Sequence, residues 1–520
     1  MYPQSSSIRA WLIELQSSTE VESLTALQAK SVASTAESFE ALSIRNAQIT
    51  IQQIRRSSSS VIDELDSVID SLPVTIDGLA YLTEMFYHTC STIRSVVDTC
   101  RRKGCDQTIN GDRRQLSSEV IDVCNRTFDL MINTLRSNKP EQVNNIQIEA
   151  NIRKLKENFG ELVDVSIKKE CSILVMSLNR GTGHLCIKWS LLALWQLTQN
   201  DPYMCRLLVS DRNIIPYLLN VVQNFQSISS TMDRRAIKSA ALRVLTYLCS
   251  NNDAIELILS QIGVGQCLSS IVLYEDDLSF RKEAVGLLVQ LTTPFIDSKD
   301  DQSFNRTLIN EMTHCLTEIV RTTASTNGQI LLMTTAALAN ISFRDTKSLV
   351  KFETLSTVMN VIKQRSDENG DCDELLLHDQ LITLLANVAQ KEQLEIVSSG
   401  GLIFLLDALN RETSTYDGNE LACARIQQKI AVALARLSTH KSTAKIIHRL
   451  NGVKRLVQWC KQPRERNYSD TVLLASIAAL KRLSQSIGRV PFQELNATDL
   501  IDLKLQQSFM LYSTQHESLV

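Results

Sequence analysis

An apolar motif recurring every 43 to 51 residues constrains this chain more than any other feature. Seven segments, at 191–197, 242–248, 285–291, 336–341, 382–388, 431–437 and 478–483, close in Leu-x-x-(Leu/Ile/Val). Their last apolar residues are Leu197, Leu248, Leu291, Ile341, Val388, Leu437 and Leu483, spaced by 51, 43, 50, 47, 49 and 46. Armadillo and HEAT arrays repeat at about 40 to 47 residues, because each helical hairpin buries its apolar face only against the next. Upstream of most segments sits a second element: Asn213 to Leu219, Gly263 to Leu268, Gly400 to Leu406, Gly452 to Val457. A glycine that ends one helix in a left-handed cap, followed at once by the next apolar helix, is helical-hairpin punctuation. Small residues at Ala241, Ala284, Ala337 and Ala479 let neighbouring helices approach closely.

Composition agrees with an all-α array. Gly numbers 16 and Pro 8, too few for the turns an all-β fold needs every 8 to 12 residues, and the core must be aliphatic because only 5% of residues are aromatic. The formal charge of -3 supplies no basic field for a phosphate backbone, so nucleic acid is disfavoured. No 18-residue apolar run is present, and Met1-Tyr2-Pro3-Gln4-Ser5 lacks a signal-peptide layout, which suggests a cytoplasmic protein with no membrane insertion. Thirteen Cys, an odd number scattered through apolar stretches, suit reduced core thiols. No phosphate loop, Cys-x-x-Cys, His-Glu-x-x-His or Gly-x-Ser-x-Gly occurs, which predicts a non-enzyme without metal or cofactor.

Four regions follow. Residues 1–34 read as a linear motif, 35–178 as a helical cap or bundle with no 40-residue repeat, 179–505 as armadillo-like repeats, and 506–520 as a tail. Within the bundle, Pro73, Gly104, Gly111 and Pro140 mark breaks between four or five helices, and Arg55-Arg56-Ser57-Ser58-Ser59-Ser60 reads as a solvated loop, the alternative being a basophilic kinase site. Arg464-Glu465-Arg466 reads as a loop that pairs locally.

Three sets of residues are candidates for partner binding. In the first, Trp11, Leu12 and Leu15 share one helical stripe with Ile8, and Glu14, Glu20, Glu22, Leu24 and Leu27 follow, a segment too short to fold alone. It is either a helix docked on its own protein or, as we favour, an amphipathic motif offered to a partner's groove. The second occupies the position before the final apolar residue of each repeat: Gln196, Tyr247, Gln290, Asn340, Asn387, Arg436 and Arg482. Armadillo families use an asparagine ladder there to hold an extended peptide, so Asn340, Asn387, Arg436 and Arg482 are expected to line a groove that prefers acidic ligands; the alternative is a merely solvated helix face. The tryptophans of import-type ladders are absent from the corresponding positions, Leu192, Arg243, Gly286, Ala336, Thr383, Val432 and Ala478. The third is Ser518-Leu519-Val520, whose terminal aliphatic side chain and hydroxyl two residues back suit capture by a PDZ domain.

These pieces together resemble the Inscuteable family of asymmetric-cell-division adaptors. The resemblance rests on Trp11 to Leu15, Thr19 to Glu22, Leu27 to Lys30, Ala336 to Ile341, Arg425-Ile426-Gln427-Gln428-Lys429, Ala435 to Ser438, Glu465 to Asp470, Ser508-Phe509 and Glu517 to Val520. Val21 stands where family members carry Pro or Cys, and Leu519 where they carry Phe. The resemblance implies a scaffold whose N-terminal segment binds the tetratricopeptide (TPR) superhelix of LGN/Pins. It further implies a link through a Bazooka-type PDZ scaffold to the Par complex at the apical cortex, which orients the mitotic spindle. The competing expectation is a catenin- or import-type armadillo protein that holds an extended cargo peptide in its groove.

Overall fold

The computed structural model describes residues 39–72, 76–102, 110–136, 145–179, 184–224, 231–261, 263–275, 277–293, 306–322, 327–364, 374–411 and 420–502. Among these residues every regular element is helical and no strand occurs. No single described helix is long and apolar enough to cross a membrane; only a bent pair, Asn252–Leu259 with Val264–Tyr274, reaches that length and apolarity jointly. The protein is an all-α helical-repeat solenoid with a helical bundle, as the period predicts. Two compact units divide inside the helix Asn252–Leu259, between Ala254 and Ile255.

The unit before that boundary opens with four long helices, α1 (Phe39–Asp70), α2 (Ile76–Arg102), α3 (Asn110–Arg136) and α4 (Asn145–Met176). Each packs on the next, and α4 packs back on α1, which closes a four-helix bundle. In α1 the buried stripe Ile51, Ile54, Val61, Leu65, Val68 returns every three, four or seven residues, the period of one helix face. This stripe corrects the loop reading of Arg55 to Ser60. The four serines lie inside α1, and Ser58 is buried with its hydroxyl donating to the Arg55 carbonyl at 3.0 Å. Gly111 likewise lies within α3 and breaks nothing, whereas Pro73, Gly104 and Pro140 lie outside the described residues.

The same unit continues with α5 (His184–Thr198), α6 (Pro202–Val209), α7 (Ile214–Asn224) and α8 (Thr231–Leu248). A polar joint ties these helices to the bundle. Arg55 Nε donates to Asp201 Oδ2 at 3.0 Å while its guanidinium lies 4.3 Å from the centre of the Tyr203 ring. Tyr203 donates in turn to Asp164 Oδ1 at 2.5 Å, and burial together with that carboxylate pushes its phenol well above the usual value. Asp201 also caps α6, accepting from the Tyr203 and Met204 amides.

Residues 255–502 repeat a three-helix module. A short first helix, where described, leads to an outer helix and then an inner one. The helix across the boundary is α9 (Asn252–Leu259), followed by α10 (Val264–Tyr274), α11 (Leu278–Thr292), α12 (Arg306–Thr322) and α13 (Gly328–Arg344). Next come α14 (Thr346–Lys351), α15 (Thr354–Gln364) and α16 (Glu374–Val388), then α17 (Gln393–Ser398), α18 (Gly401–Asn410) and α19 (Glu420–Leu437). The last module is α20 (Lys441–Arg449), α21 (Gly452–Lys461) and α22 (Asp470–Ile487), closed by α23 (Val490–Glu494) and α24 (Thr498–Asp502). Helices α11, α13, α16, α19 and α22 stack on one another in order as the inner layer. Ala284, Ala337 and Ala479 in that layer, and Ala241 in α8, are fully buried, as close approach requires.

Gly263 and Gly400 adopt φ of 83° and 86° immediately before α10 and α18, the left-handed junctions that the sequence suggests. At the third such junction the left-handed residue is Asn451, φ 63°, and Gly452 already belongs to α21. Its reason is space: a Cβ there would lie 2.9 Å from the Ile447 carbonyl oxygen.

All eleven described cysteines are free thiols, nine of them buried. Burial pushes Cys171 and Cys460 up to about 12, and Cys205 and Cys315 up to about 11. At pH 8 fewer than about one in a hundred of these four would be thiolate, the reactive form. Iodoacetamide should therefore leave them unlabelled in the native chain and label them after denaturation, as mass spectrometry of the digests would show. Rapid native labelling would contradict the burial.

Candidate functional site

The first and third candidate sets lie outside the described residues. These are Trp11, Leu12, Glu14, Leu15, Glu20, Glu22, Leu24 and Leu27 at one end, and Ser518, Leu519 and Val520 at the other. The groove set is described, and its geometry differs from the expectation.

Asn340 directs its amide Nδ2 at the preceding inner helix, 3.4 Å from Thr292 Oγ1 and 3.5 Å from the Val289 carbonyl. Asn387 does the same one repeat later, donating to Ser342 Oγ at 3.0 Å and to the Ala339 carbonyl at 3.3 Å. Arg436 Nη1 donates to the Ala386 carbonyl at 2.7 Å, and Ser486 donates to the Ser438 carbonyl at 2.6 Å. The Val289 and Ala386 carbonyls lie in the last turns of α11 and α16, where carbonyls lack an intrahelical donor, and a side chain from the next stacked helix supplies one. Asn387 and Arg436 are each only 7% exposed. The expectation of an open peptide-holding ladder is thus corrected for Asn340, Asn387 and Arg436: their donors stitch consecutive repeats together. Arg482, at the equivalent point of α22, is half-buried.

Two turns before Asn387 and Arg436 the inner layer carries a buried charge cluster. Lys429 of α19 donates to Asp379 Oδ1 of α16 at 2.9 Å and to Thr383 Oγ1 at 2.8 Å. Arg425, one turn earlier, places Nη2 3.2 Å from Asp379 Oδ2. Asp379 is 1% exposed and Lys429 8%. Desolvation lowers the Lys429 pKa from the ordinary lysine value, and the Asp379 charge only partly restores it. Sequence reasoning singled out Arg425 to Lys429 for its family character without assigning it a contact. The acidic partner is 46 to 50 residues away, one full repeat, so only the repeat register points to it.

Gln427, between those two cations, faces the other way. Its Nε2 donates to the Glu465 carbonyl at 2.8 Å, and its Oε1 accepts from Asn467 Nδ2 at 3.1 Å. The 425–429 and 465–470 stretches, both singled out in the sequence, therefore meet. The 463–466 segment is a 3-10 turn rather than an irregular loop, followed by Asn467 and Tyr468 at φ of 52° and 56°. Glu465 pairs with Arg455 at 2.9 Å, and Arg466 donates to the Trp459 carbonyl at 3.3 Å, the local pairing anticipated for this segment.

Comparison with known proteins places these features in a family. Residues 83–520 match the family model described as Protein inscuteable C-terminal. The chain is similar to the human protein inscuteable homolog, 29% identical over 372 residues, which is 70% of this chain and 62% of that protein. The mouse homolog gives 28% identity with the same coverage, so the matched region spans less than two thirds of the length of these relatives. Among solved structures, a designed armadillo repeat protein in complex with the peptide (KR)4 matches 51% of this chain and 98% of its own, at TM-score 0.38 and 15% identity. An engineered protein matches 61% and 97%, at TM-score 0.33 and 18% identity.

Proposed function

Because the chain belongs to the inscuteable family, we propose that it is a non-enzymatic adaptor of asymmetric cell division that orients the mitotic spindle at the apical cortex. In this reading residues 1–34 bind a TPR superhelix of the LGN/Pins type. Trp11, Leu12, Leu15, Leu24 and Leu27 are its apolar anchors, and Glu14, Glu20 and Glu22 face basic residues of the partner. Ser518-Leu519-Val520 engages a Bazooka-type PDZ scaffold, which joins the polarity complex to the TPR partner. The observation that carries the reading is the family match over residues 83–520, a span that includes the tail. It is supported by an architecture of stacked helices flanked by short motifs, which gives two partners separate attachment points.

Truncating an interface Trp commonly costs about 2 kcal/mol, roughly thirtyfold in affinity. Trp11→Ala in the full chain is therefore expected to weaken TPR binding by about thirtyfold and leave the PDZ partner bound. Deleting Val520 should do the reverse, because strand addition needs the terminal carboxylate and its aliphatic side chain. A paired pull-down with both purified domains checks this. Retention of the TPR partner by Trp11→Ala, or of the PDZ partner after deletion of Val520, removes the corresponding contact from the proposal.

A further inference from the structure

Charge along this chain is unevenly placed. The 44 residues from Leu421 to Arg464 hold ten Lys and Arg and no Asp or Glu. Elsewhere the remaining 44 of the chain's 54 Lys and Arg face 57 Asp and Glu, so the rest of the chain is net acidic by 13. Three of the ten cations, Arg425, Lys429 and Arg436, bond within the inner layer, and Arg455 pairs with Glu465. The others, Lys441, Lys445, Arg449, Lys454, Lys461 and Arg464, are exposed. Lys441, Lys445 and Arg449 recur at four-residue spacing in α20 and so share one helix face. On its opposite face Thr443, Ala444 and Ile447 are buried, which seats α20 on the array.

No neighbouring element neutralises this stripe. Helix α20 packs on α19, α21 and α22. Of these, α21 has no carboxylate, and those of α19 and α22 are Glu420 and Asp470, the first residue of each helix. Both helices run 18 residues, which puts those carboxylates about 26 Å from the opposite ends. It is at those opposite ends that α20 begins: α19 stops at Leu437, and Ser486 near the end of α22 donates to the Ser438 carbonyl. Thr439 donates to Gln393 Oε1 at 2.9 Å, which brings Glu392 and Glu395 of the preceding module alongside, yet among the described residues no ion pair joins either to α20. Nor does the helix gain from its first cation. The opening turn of a helix favours a carboxylate, and α20 has none there, with Lys441 as its first residue. Only Arg449, in the last turn, has the sign the helix dipole prefers.

We propose that the exposed face of α20 is a peripheral docking site for an anionic phospholipid surface. Lys441, Lys445 and Arg449 lie over headgroup phosphates and carboxylates, and Leu450, 42% exposed beside Arg449, enters the interface. A convex helix face meets a plane with all three cations at once, over about 12 Å, whereas capture of a peptide uses a groove or a strand edge. Each Lys or Arg near an anionic surface contributes about fivefold in partitioning. Three of them give weak, reversible attachment, which strengthens the chain's other contacts rather than replacing them. This contact is separate from the two terminal motifs and does not depend on them.

The test sediments the full chain with vesicles of equal parts phosphatidylcholine and phosphatidylserine, and with vesicles of phosphatidylcholine alone. Binding should require phosphatidylserine and fall as ionic strength rises. Lys441→Gln, Lys445→Gln and Arg449→Gln together should lower partitioning about a hundredfold, while the melting temperature stays level because the three side chains face solvent. Lys154→Gln, Lys168→Gln and Lys347→Gln together remove the same charge from exposed positions elsewhere and should lower it far less. Equal loss in the two triple variants overturns the proposal, because net charge alone would then set binding. So does a chain that binds neither kind of vesicle. A chain that ignores vesicles but binds a polyglutamate peptide through Lys441, Lys445 and Arg449 also overturns it, and makes the occupant an acidic protein segment.

Discussion

Asp379→Ala is expected to destabilise the unit formed by residues 255–502 by about 3 to 5 kcal/mol, the range for removing one partner of a buried ion pair. Asp379 is the counter-charge for Lys429, and both are more than nine-tenths buried. Without it, Lys429 keeps only the Thr383 hydroxyl at 2.8 Å, an uncharged acceptor, and must either carry an uncompensated charge or lose its proton. Lys429→Met alone should cost less, because Arg425 at 3.2 Å remains beside the carboxylate and reaches solvent. Replacing the pair together, Asp379→Leu with Lys429→Met, should recover much of the loss, since buried pairs exchange for apolar side chains at little net cost. Chemical denaturation of the four chains measures this. A single Asp379→Ala loss below about 1 kcal/mol, the scale of an exposed pair, would show that the site is hydrated.

The lowered Lys429 pKa adds a pH dependence of defined sign. The folded chain binds this proton less tightly than the unfolded chain does, so the unfolded state holds more protons between the two pKa values. Stability from this group therefore rises as pH climbs from the folded-state pKa toward the ordinary lysine value, and is level on either side of that window, lower below it and higher above it. In Lys429→Met that increment should vanish.

The period of the apolar motif places helix ends closely wherever the inner helix stops at its last core residue. Leu248, Val388 and Leu437 end α8, α16 and α19, as the motif predicts. Two inner helices run on. Helix α13 continues past Ile341 to Arg344, where Asp345 accepts from the Lys347 amide and caps the next helix, and α22 continues past Leu483 to Ile487, where Gly488 at φ 87° stops it. The local signals for both stops lie beyond the apolar motif. Less legible is what the inner-face polar residues touch. Whether Asn387 points into an open groove or at Ser342 depends on how far one repeat is rotated on its neighbour, a tertiary quantity that no window of one repeat contains. The same holds for Ser57 to Ser60, whose polarity reads as loop until the flanking Ile54, Val61 and Leu65 stripe is seen packed and buried. Local propensity favoured a turn there, and burial of the stripe decides for helix.

Phe492→Ala is expected to cost about 3 to 5 kcal/mol, the range for truncating a buried Phe, and the damage should stay local. Phe492 is completely buried in the five-residue helix α23, far too short to hold itself, so its position depends on tertiary contacts. Three further contacts hold this segment: the Ala497 amide donates to the Phe492 carbonyl at 2.9 Å, and Lys461 Nζ donates to the Asn496 and Leu495 carbonyls at 2.8 and 3.1 Å. Beyond it α24 packs on α22, with Ile501 buried. In a repeat array each unit is stabilised by its own packing and by its nearest neighbours, so the last inner helix depends on whatever covers its outer side. Removing the Phe492 ring should therefore raise amide hydrogen exchange in α22, α23 and α24 while protection in α13 and α16, two or three stacked helices away, stays as it was. Equal loss of protection from α13 to α24 would mean that residues 255–502 open as one cooperative block, and unchanged protection in α22 would show that Phe492 does not cap it.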